Sequence, residues 1–145
     1  MTMVARLLLL LTALAALASP ACAPTRPYNP DGLPPAQMSR IGEVCDRVMG
    51  LPPGLDTHYQ GCQESLSRSL AARREATVAP EPASDAPLPA RPARSYFSAS
   101  NDEVHRRAQA ACAAIGVGPS TGAFAQCVAD LAGKLFDADN PHWRD

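Results

Sequence analysis

The sequence is poor in aromatic residues and in net charge. Aromatic residues make up 5% of the 145 residues, and 13 basic against 14 acidic residues leave a formal net charge of −1. A chain without a basic excess has no strong field to recruit nucleic acid, so nucleic acid is not expected as a partner. Small units with few aromatics bury little apolar area, and we expect them to need covalent cross-links.

The cysteines also lack the spacings of common redox and haem sites. The five cysteines include no Cys-x-x-Cys pair and no Cys-x-x-Cys-His segment, which excludes a thioredoxin-like motif and a c-type haem attachment. A cysteine nucleophile needs a base beside it, and Cys22 stands in a proline-rich stretch without a histidine. The adjacent carboxylates Asp102 and Glu103 are explained as residues of a helix start. We therefore expect no enzyme activity, no catalytic residue, no bound metal and no cofactor.

What the sequence does contain is a repeat built around two pairs of cysteines. Residues 45–70, CDRVMGLPPGLDTHYQGCQESLSRSL, match residues 112–135, CAAIGVGPSTGAFAQCVADLAGKL. Each copy runs from a cysteine through a glycine and a Pro-containing loop to an aromatic residue and a second cysteine. The simplest pairing joins Cys45 to Cys62 and Cys112 to Cys127. Closing a loop of about 15 residues stabilises a fold by about 3 kcal/mol in the chain-entropy model.

Apolar residues recur at helical spacing on both sides of each loop. Spacings of three and four predict helices over residues 36–49 and from about residue 56 to residue 74. Gly50 and Gly116 are typical of helix ends, and Ser100 begins a capping-box pattern for the second unit. The sequence therefore predicts an all-α fold of two short, disulfide-stapled antiparallel α-hairpins.

The chain divides into segments by composition. We predict a signal peptide helix at 1–21, a Pro-rich tether at 22–35, the first α-hairpin at 36–76, a Pro-rich linker at 77–99, the second α-hairpin at 100–137 and an irregular tail at 138–145. A linker rich in proline favours semi-rigid polyproline structure. We therefore expect the two hairpins not to be rigidly docked, although Tyr96 and Phe97 could pack against the second one.

The N-terminus indicates export. Arg6 followed by the apolar run 7–18 is typical of a secretory signal peptide, and this run is shorter than the roughly 20 residues that span a bilayer; a retained anchor helix is the alternative. Cys22 follows a small residue, as in a bacterial lipobox, although Ser19 stands where an aliphatic residue is usual. We expect lipidation of Cys22 and a periplasmic, membrane-anchored protein. Ordinary cleavage that leaves Cys22 as a free thiol is the rival interpretation.

The second repeat also resembles a known type of sequence. Residues 112–127 carry the motif Cys-x3-Gly-x4-Thr-x2-Phe-x2-Cys, which is similar to one in uncharacterised proteobacterial exported proteins and lipoproteins. Ser120 stands where that motif usually has Gly, and the first repeat has the additional residues Met49 and Leu55. The resemblance implies helical hairpins and export, and it brings no known activity with it.

The favoured hypothesis is a lipid-anchored, non-enzymatic envelope protein that acts as a binding or structural module. Its expected partner is another envelope protein or a membrane surface. The competing hypothesis is a soluble periplasmic metal- or thiol-linked protein that uses Cys22 or His58. His58 precedes Cys62 by four residues and would face Cys45, and such ligands suit zinc or copper. A secreted inhibitor or toxin-like module is a third possibility.

Three further expectations concern side chains. His58 is expected to be exposed in the first helical turn, because the second repeat has no histidine at that position. The pairs 73–74 and 106–107, all arginine, are expected on solvated faces, with contact to acidic envelope components as the alternative. Trp143 is expected to pack on the second hairpin, with a role as a binding anchor as the alternative.

Overall fold

The computed structural model describes residues 29, 31–54, 56–76 and 86–144. The predicted signal peptide, Cys22 and most of the predicted tether lie outside these residues. The described chain holds four α-helices and two short 3-10 helices, with no strand. They are α1 Pro35–Arg47, α2 Asp56–Ala76, α3 Asn101–Ala114, α4 Gly122–Asp139, and the 3-10 helices Tyr96–Ser98 and Pro141–Arg144. The predicted all-α class is confirmed.

Both predicted disulfides are present, and each joins the two helices of one hairpin. The Cα atoms of Cys45 and Cys62 are 6.0 Å apart, and those of Cys112 and Cys127 are 6.1 Å apart. All four cysteines are buried. The covalent link therefore lies in the core, where each cysteine occupies the apolar face of its helix, as the spacing predicted.

Helix α3 ends in a Schellman motif at the predicted glycine. Gly116 has a φ of 89°, a conformation that costs little only for glycine. The Val117 amide donates to the Cys112 carbonyl at 3.0 Å, and the Gly116 amide donates to the Ala113 carbonyl at 2.9 Å. The carbonyls of Cys112 and Ala113 in the last turn are thereby satisfied.

Helix α1 ends in a wider version of the same turn. Gly50 has a φ of 76°, and the Leu51 amide donates to the Cys45 carbonyl at 3.0 Å. This hydrogen bond spans one residue more than its equivalent in the second hairpin, because Met49 is additional in the first repeat. In both hairpins the residue after the glycine thus bonds to the carbonyl of the first cysteine.

The capping box of the second hairpin is only half formed. Ser100 accepts a hydrogen bond from the Glu103 amide at 3.3 Å, as predicted. The Glu103 side chain instead accepts hydrogen bonds from Arg107, one turn further along the helix. A buried arginine thus takes the carboxylate away from the helix terminus.

The two hairpins share one core, which differs from the expectation that they are not rigidly docked. Helix α2 of the first hairpin packs along α4 of the second, and this is the most extensive contact between helices of the described chain. An added Cβ at Gly61 would lie 3.9 Å from the Lys134 carbonyl oxygen, so the backbones approach closely there. Fully buried side chains from both hairpins fill the interior, among them Ile41, Val44, Leu51, Leu66, Val117, Leu131 and Leu135. Each of the four helices has an apolar stripe. Packing these stripes against one another removes their apolar surface from water and favours a shared core.

The second part of the predicted linker is packed against the hairpins. We call residues 86–99 the strap. Leu88 and Tyr96 of the strap are buried, and the Tyr96 amide donates to the Gly50 carbonyl at 3.4 Å. The strap therefore belongs to the folded unit, whereas the sequence predicted a semi-rigid linker in which only Tyr96 and Phe97 could pack against the second hairpin. The composition of the linker does not show this, because Tyr96 contacts Gly50, His58 and Asp139, which lie far away in sequence.

The C-terminal tail is also more regular than predicted. Helix α4 continues to Asp139, and the 3-10 helix Pro141–Arg144 follows directly. The Asn140 side chain donates to the Phe136 carbonyl at 2.9 Å and so caps the end of α4. The side chain of Trp143 lies outside the described residues, so its predicted packing stays a prediction.

Candidate functional site

A groove of about 580 Å³ opens on the first hairpin, between α1 and the beginning of α2. Small-molecule sites have volumes of about 300 to 1,000 Å³. Among the described residues that line it, the charged side chains are the carboxylates of Glu43 and Asp46. The groove is lined by Asn29, Pro35, Met38, Ser39, Gly42, Glu43, Asp46, Pro53, Tyr59 and Gln63.

Tyr59 lies against the backbone of α1 at one side of the groove. Its hydroxyl donates to the Gly42 carbonyl at 3.3 Å, and a Cβ added at Gly42 would lie 3.0 Å from the Tyr59 hydroxyl oxygen. Burial, and to a lesser degree the nearby Asp46 carboxylate, raises the pKa of Tyr59. The hydroxyl therefore stays protonated, and the missing side chain at Gly42 makes room for it.

Asp46 presents a carboxylate of which only one oxygen has a partner. Arg91 of the strap donates to its Oδ2, and the Asp46 side chain is 19% exposed whereas that of Arg91 is 60% exposed. Its Oδ1 is buried and has no hydrogen-bond donor among the described residues. A buried acceptor without a donor costs about 1 to 3 kcal/mol. Asp46 thus lines the groove and carries one acceptor whose hydrogen-bonding capacity is unused by the described residues.

His58 is not the exposed residue that the sequence predicted. Its side chain is 14% exposed, and its Nε2 lies 2.8 Å from Oδ1 of Asp139. The ring centroids of Tyr96 and Phe97 lie 5.7 and 5.0 Å from that of His58. Aromatic neighbours at such distances are stabilising in tilted and edge-on geometries. His58 therefore holds the start of α2 against the end of α4 and the strap.

Asp139 is shared between this histidine and a buried tyrosine. The Tyr96 hydroxyl donates to Oδ2 of Asp139 at 2.9 Å. Burial, followed by the hydrogen bond and the negative charge of Asp139, raises the pKa of Tyr96 strongly. The Asp139 carboxylate of α4 thus accepts a hydrogen bond from Tyr96 of the strap and pairs with His58 of α2. This cluster joins three segments of the chain.

The ligand set of the metal hypothesis is engaged in other interactions. Cys45 and Cys62 are bonded to each other, and His58 pairs with Asp139. Within the ranges that the structure describes, no group of three or more His, Cys, Asp or Glu side chains could hold a metal ion. Cys22 lies outside those ranges.

Arg107 is a structural residue that the sequence interpretation missed, because it was expected on a solvated face. Its side chain is 7% exposed. Its guanidinium donates to the Met49 carbonyl at 3.2 Å and to the Arg94 carbonyl at 3.1 Å. It also pairs with Glu103 at 2.8 Å, and this hydrogen bond lowers the pKa of Glu103. Arg107 thereby ties the second hairpin to the turn of the first and to the strap.

A signal for this role was present in the repeat. Arg40 and Arg107 each precede the first cysteine of their hairpin by five residues. Arg40 donates to the Ala86 carbonyl and Arg107 to the Arg94 carbonyl. Two equivalent arginines therefore hold the two ends of the segment 86–94.

The comparisons with known proteins leave the chain without an assigned family. No protein-family model matches it, and neither the curated proteins nor the solved structures give a match. The fold itself defines an all-helical protein with two buried disulfides. Disulfides of this kind are typical of proteins exported to an oxidising compartment.

None of the helices in the described part of the chain is long and apolar enough to cross a membrane.

Proposed function

We propose that this protein is an exported, non-enzymatic binding protein of the cell envelope, and that the groove on the first hairpin is its binding site. The observation that carries the proposal is the groove itself, which has a volume of about 580 Å³. One of its lining residues, Asp46, has a buried carboxylate oxygen without a hydrogen-bond donor among the described residues. A concave site with apolar walls and a few polar groups is the usual form of a ligand-binding site. The two disulfides support export.

The proposal includes a lipid anchor at Cys22. Asn29 lines the groove and stands seven positions after Cys22, and seven residues span at most about 25 Å. A lipid on Cys22 would therefore hold the groove close to the membrane surface. The chain enters the fold firmly at this point, because Leu33 is buried and Asp31 accepts a hydrogen bond from Ser67 at 2.7 Å.

The mass of the mature protein from its native host tests the anchor. We expect a chain that begins at Cys22 and carries acyl groups, with four cysteines that react with an alkylating reagent only after reduction. The competing hypothesis of a soluble metal- or thiol-linked protein expects a chain that begins at Ser19 and a Cys22 thiol that reacts before reduction. That result would remove the anchor from the proposal.

Site-specific photo-crosslinking tests the groove. A photoreactive residue at Ser39, which is exposed and lines the groove, is compared with one at Gln126, which is exposed on α4. We expect adducts in the native envelope from position 39 and few from position 126. Adducts of equal yield and mass from both positions would show that the groove has no special role.

A further inference from the structure

We propose that the groove binds a small organic cation, an ammonium group carried on a short apolar chain. This inference rests on the proposed function, in which the groove is the binding site. It adds the chemical class of the ligand, which follows from the charge, the hydrogen-bonding capacity and the apolar walls of the groove.

The charge of the groove favours a cation. Glu43 and Asp46 lie three residues apart on α1 and therefore share one face of the helix. Arg91 pairs with Asp46, whereas Glu43 forms no ion pair among the described residues. The groove thus keeps a negative charge, which attracts a positively charged ligand and repels an anion.

The hydrogen-bonding capacity of the groove favours a donor. Glu43 is exposed and lines the groove, and its carboxylate only accepts hydrogen bonds when ionised. The Asp46 carboxylate beside it has an oxygen, Oδ1, that is buried and has no donor in the described chain. The Tyr59 hydroxyl donates its hydrogen bond to the Gly42 carbonyl. Its oxygen can still accept a hydrogen bond from a ligand. An ammonium group has three N–H donors and no acceptor, and so complements such a site.

The walls of the groove favour an apolar body on the ligand. Apolar surface in the groove comes from Pro35, Met38, Pro53 and the ring of Tyr59. An aromatic face also attracts a nearby cation. A volume of about 580 Å³ suits a small molecule rather than a folded partner.

The second hairpin supplies an internal comparison for this chemistry. At the corresponding positions of the repeat, both carboxylates are replaced by alanine and the tyrosine by phenylalanine. The groove chemistry therefore does not belong to the scaffold that the two hairpins share. The corresponding pairs are Gly42 and Gln109, Glu43 and Ala110, Asp46 and Ala113, and Tyr59 and Phe124.

Titration of the oxidised protein with three probes of equal chain length tests the inference. Hexylamine, hexan-1-ol and hexanoate are added separately, and the backbone amide resonances of Gly42 and Gly133 are followed by NMR. Gly42 lines the groove, whereas Gly133 lies on α4. We expect hexylamine to shift the Gly42 resonance with at least tenfold higher affinity than hexan-1-ol, and to leave Gly133 unchanged. Added salt should weaken the binding of hexylamine but not the binding of hexan-1-ol, because salt screens only the interaction between charges.

Two charge-neutralising variants complete the test. Glu43→Gln removes a carboxylate that has no ion pair in the described chain, so its fold should persist. Asp46→Asn also removes the charge that pairs with Arg91. We expect each variant to weaken hexylamine binding at least tenfold and to weaken hexan-1-ol binding much less, because the alcohol carries no charge. A circular dichroism spectrum like that of the parent protein controls for folding.

The outcomes separate the two proposals. Equal affinity for hexylamine and hexan-1-ol, or amine binding that is unchanged in Glu43→Gln, would overturn the inference about a cation. A response of Gly42 to the alcohol or to hexanoate alone would overturn it as well, while the groove would remain a binding site. Absence of any selective response of Gly42 would count against both the cation and the groove as the functional site.

Discussion

The two hairpins have the same internal skeleton and different outer faces. Their disulfides have nearly equal Cα separations of 6.0 and 6.1 Å. In both, a glycine with positive φ follows the first helix, and the next amide bonds to the carbonyl of the first cysteine. An arginine five residues before that cysteine contacts the strap in each case. The repeat thus retains the residues that close the core and attach the strap.

The outer faces show where the copies have diverged. The first hairpin has a longer loop, with a separation of 17 residues between its cysteines against 15 in the second. It also has the carboxylates and the tyrosine hydroxyl that line the groove. A disulfide-linked hairpin that packs into the shared core can therefore carry different residues on its outer face. The first hairpin is therefore the place to look for binding, and the second serves as its structural control.

The largest expected effect comes from removing the disulfides one hairpin at a time. Replacing both cysteines of either hairpin by alanine should lower the free energy of unfolding by about 2 to 5 kcal/mol. Because the hairpins share one core, we expect the whole protein to lose helix in one cooperative transition in either variant. Thermal unfolding followed by circular dichroism measures this. Persistence of about half of the helical signal after the first transition would show that the hairpins fold independently.

The second prediction compares the equivalent arginines. Arg107→Met leaves the carbonyls of Met49 and Arg94 without their donor, and we expect a loss of about 2 kcal/mol. Arg40→Met removes one hydrogen bond from the exposed end of the strap, and we expect a loss of at most about 1 kcal/mol. Chemical denaturation of both variants provides the measurement. Equal losses would mean that the two arginines play equal roles.

The third prediction compares two glycines inside helices. Gly133→Ala meets no atom within 4 Å and should stabilise the protein by about 0.5 to 1 kcal/mol through helix propensity. Gly42→Ala places a Cβ 3.0 Å from the Tyr59 hydroxyl oxygen, so we expect this gain to be cancelled. Adding Tyr59→Phe should restore part of it, which a double-mutant cycle measures. A full gain in Gly42→Ala alone would contradict the tight contact.

The smallest effect concerns an ion pair between the hairpins. Lys134 of α4 donates to Glu64 of α2 at 3.1 Å, and this hydrogen bond lowers the pKa of Glu64 from its ordinary value of 4.5. A carboxylate with a lowered pKa stabilises the folded state above its ordinary pKa, and this contribution disappears as the pH falls through the lowered value. Lys134→Met should therefore cost about 0.5 kcal/mol near neutral pH and less in acid. Denaturation at pH 7 and at pH 3 tests this; a cost that does not shrink in acid would contradict it.

Local patterns in the sequence determined the helices, the staples and the helix ends of this protein. Helical spacing, paired cysteines and glycines such as Gly50 and Gly116 act over a few residues, and their physics does not depend on the rest of the fold. The all-α class and the two disulfides were predictable for that reason. Cys22 and the signal peptide stay predictions, because they lie outside the described residues.

Only the tertiary structure decided how these parts meet. The packing of α2 on α4, the burial of Leu88 and the docking of Tyr96 join residues that are distant in sequence. The sequence placed Arg107 and His58 in solvent, because a polar side chain is buried only where it finds hydrogen-bond partners, and here these partners are distant in sequence. The groove likewise depends on how closely Tyr59 approaches Gly42 across two helices. Such contacts depend on the geometry of the assembled core, which cannot be predicted from patterns over a few neighbouring residues.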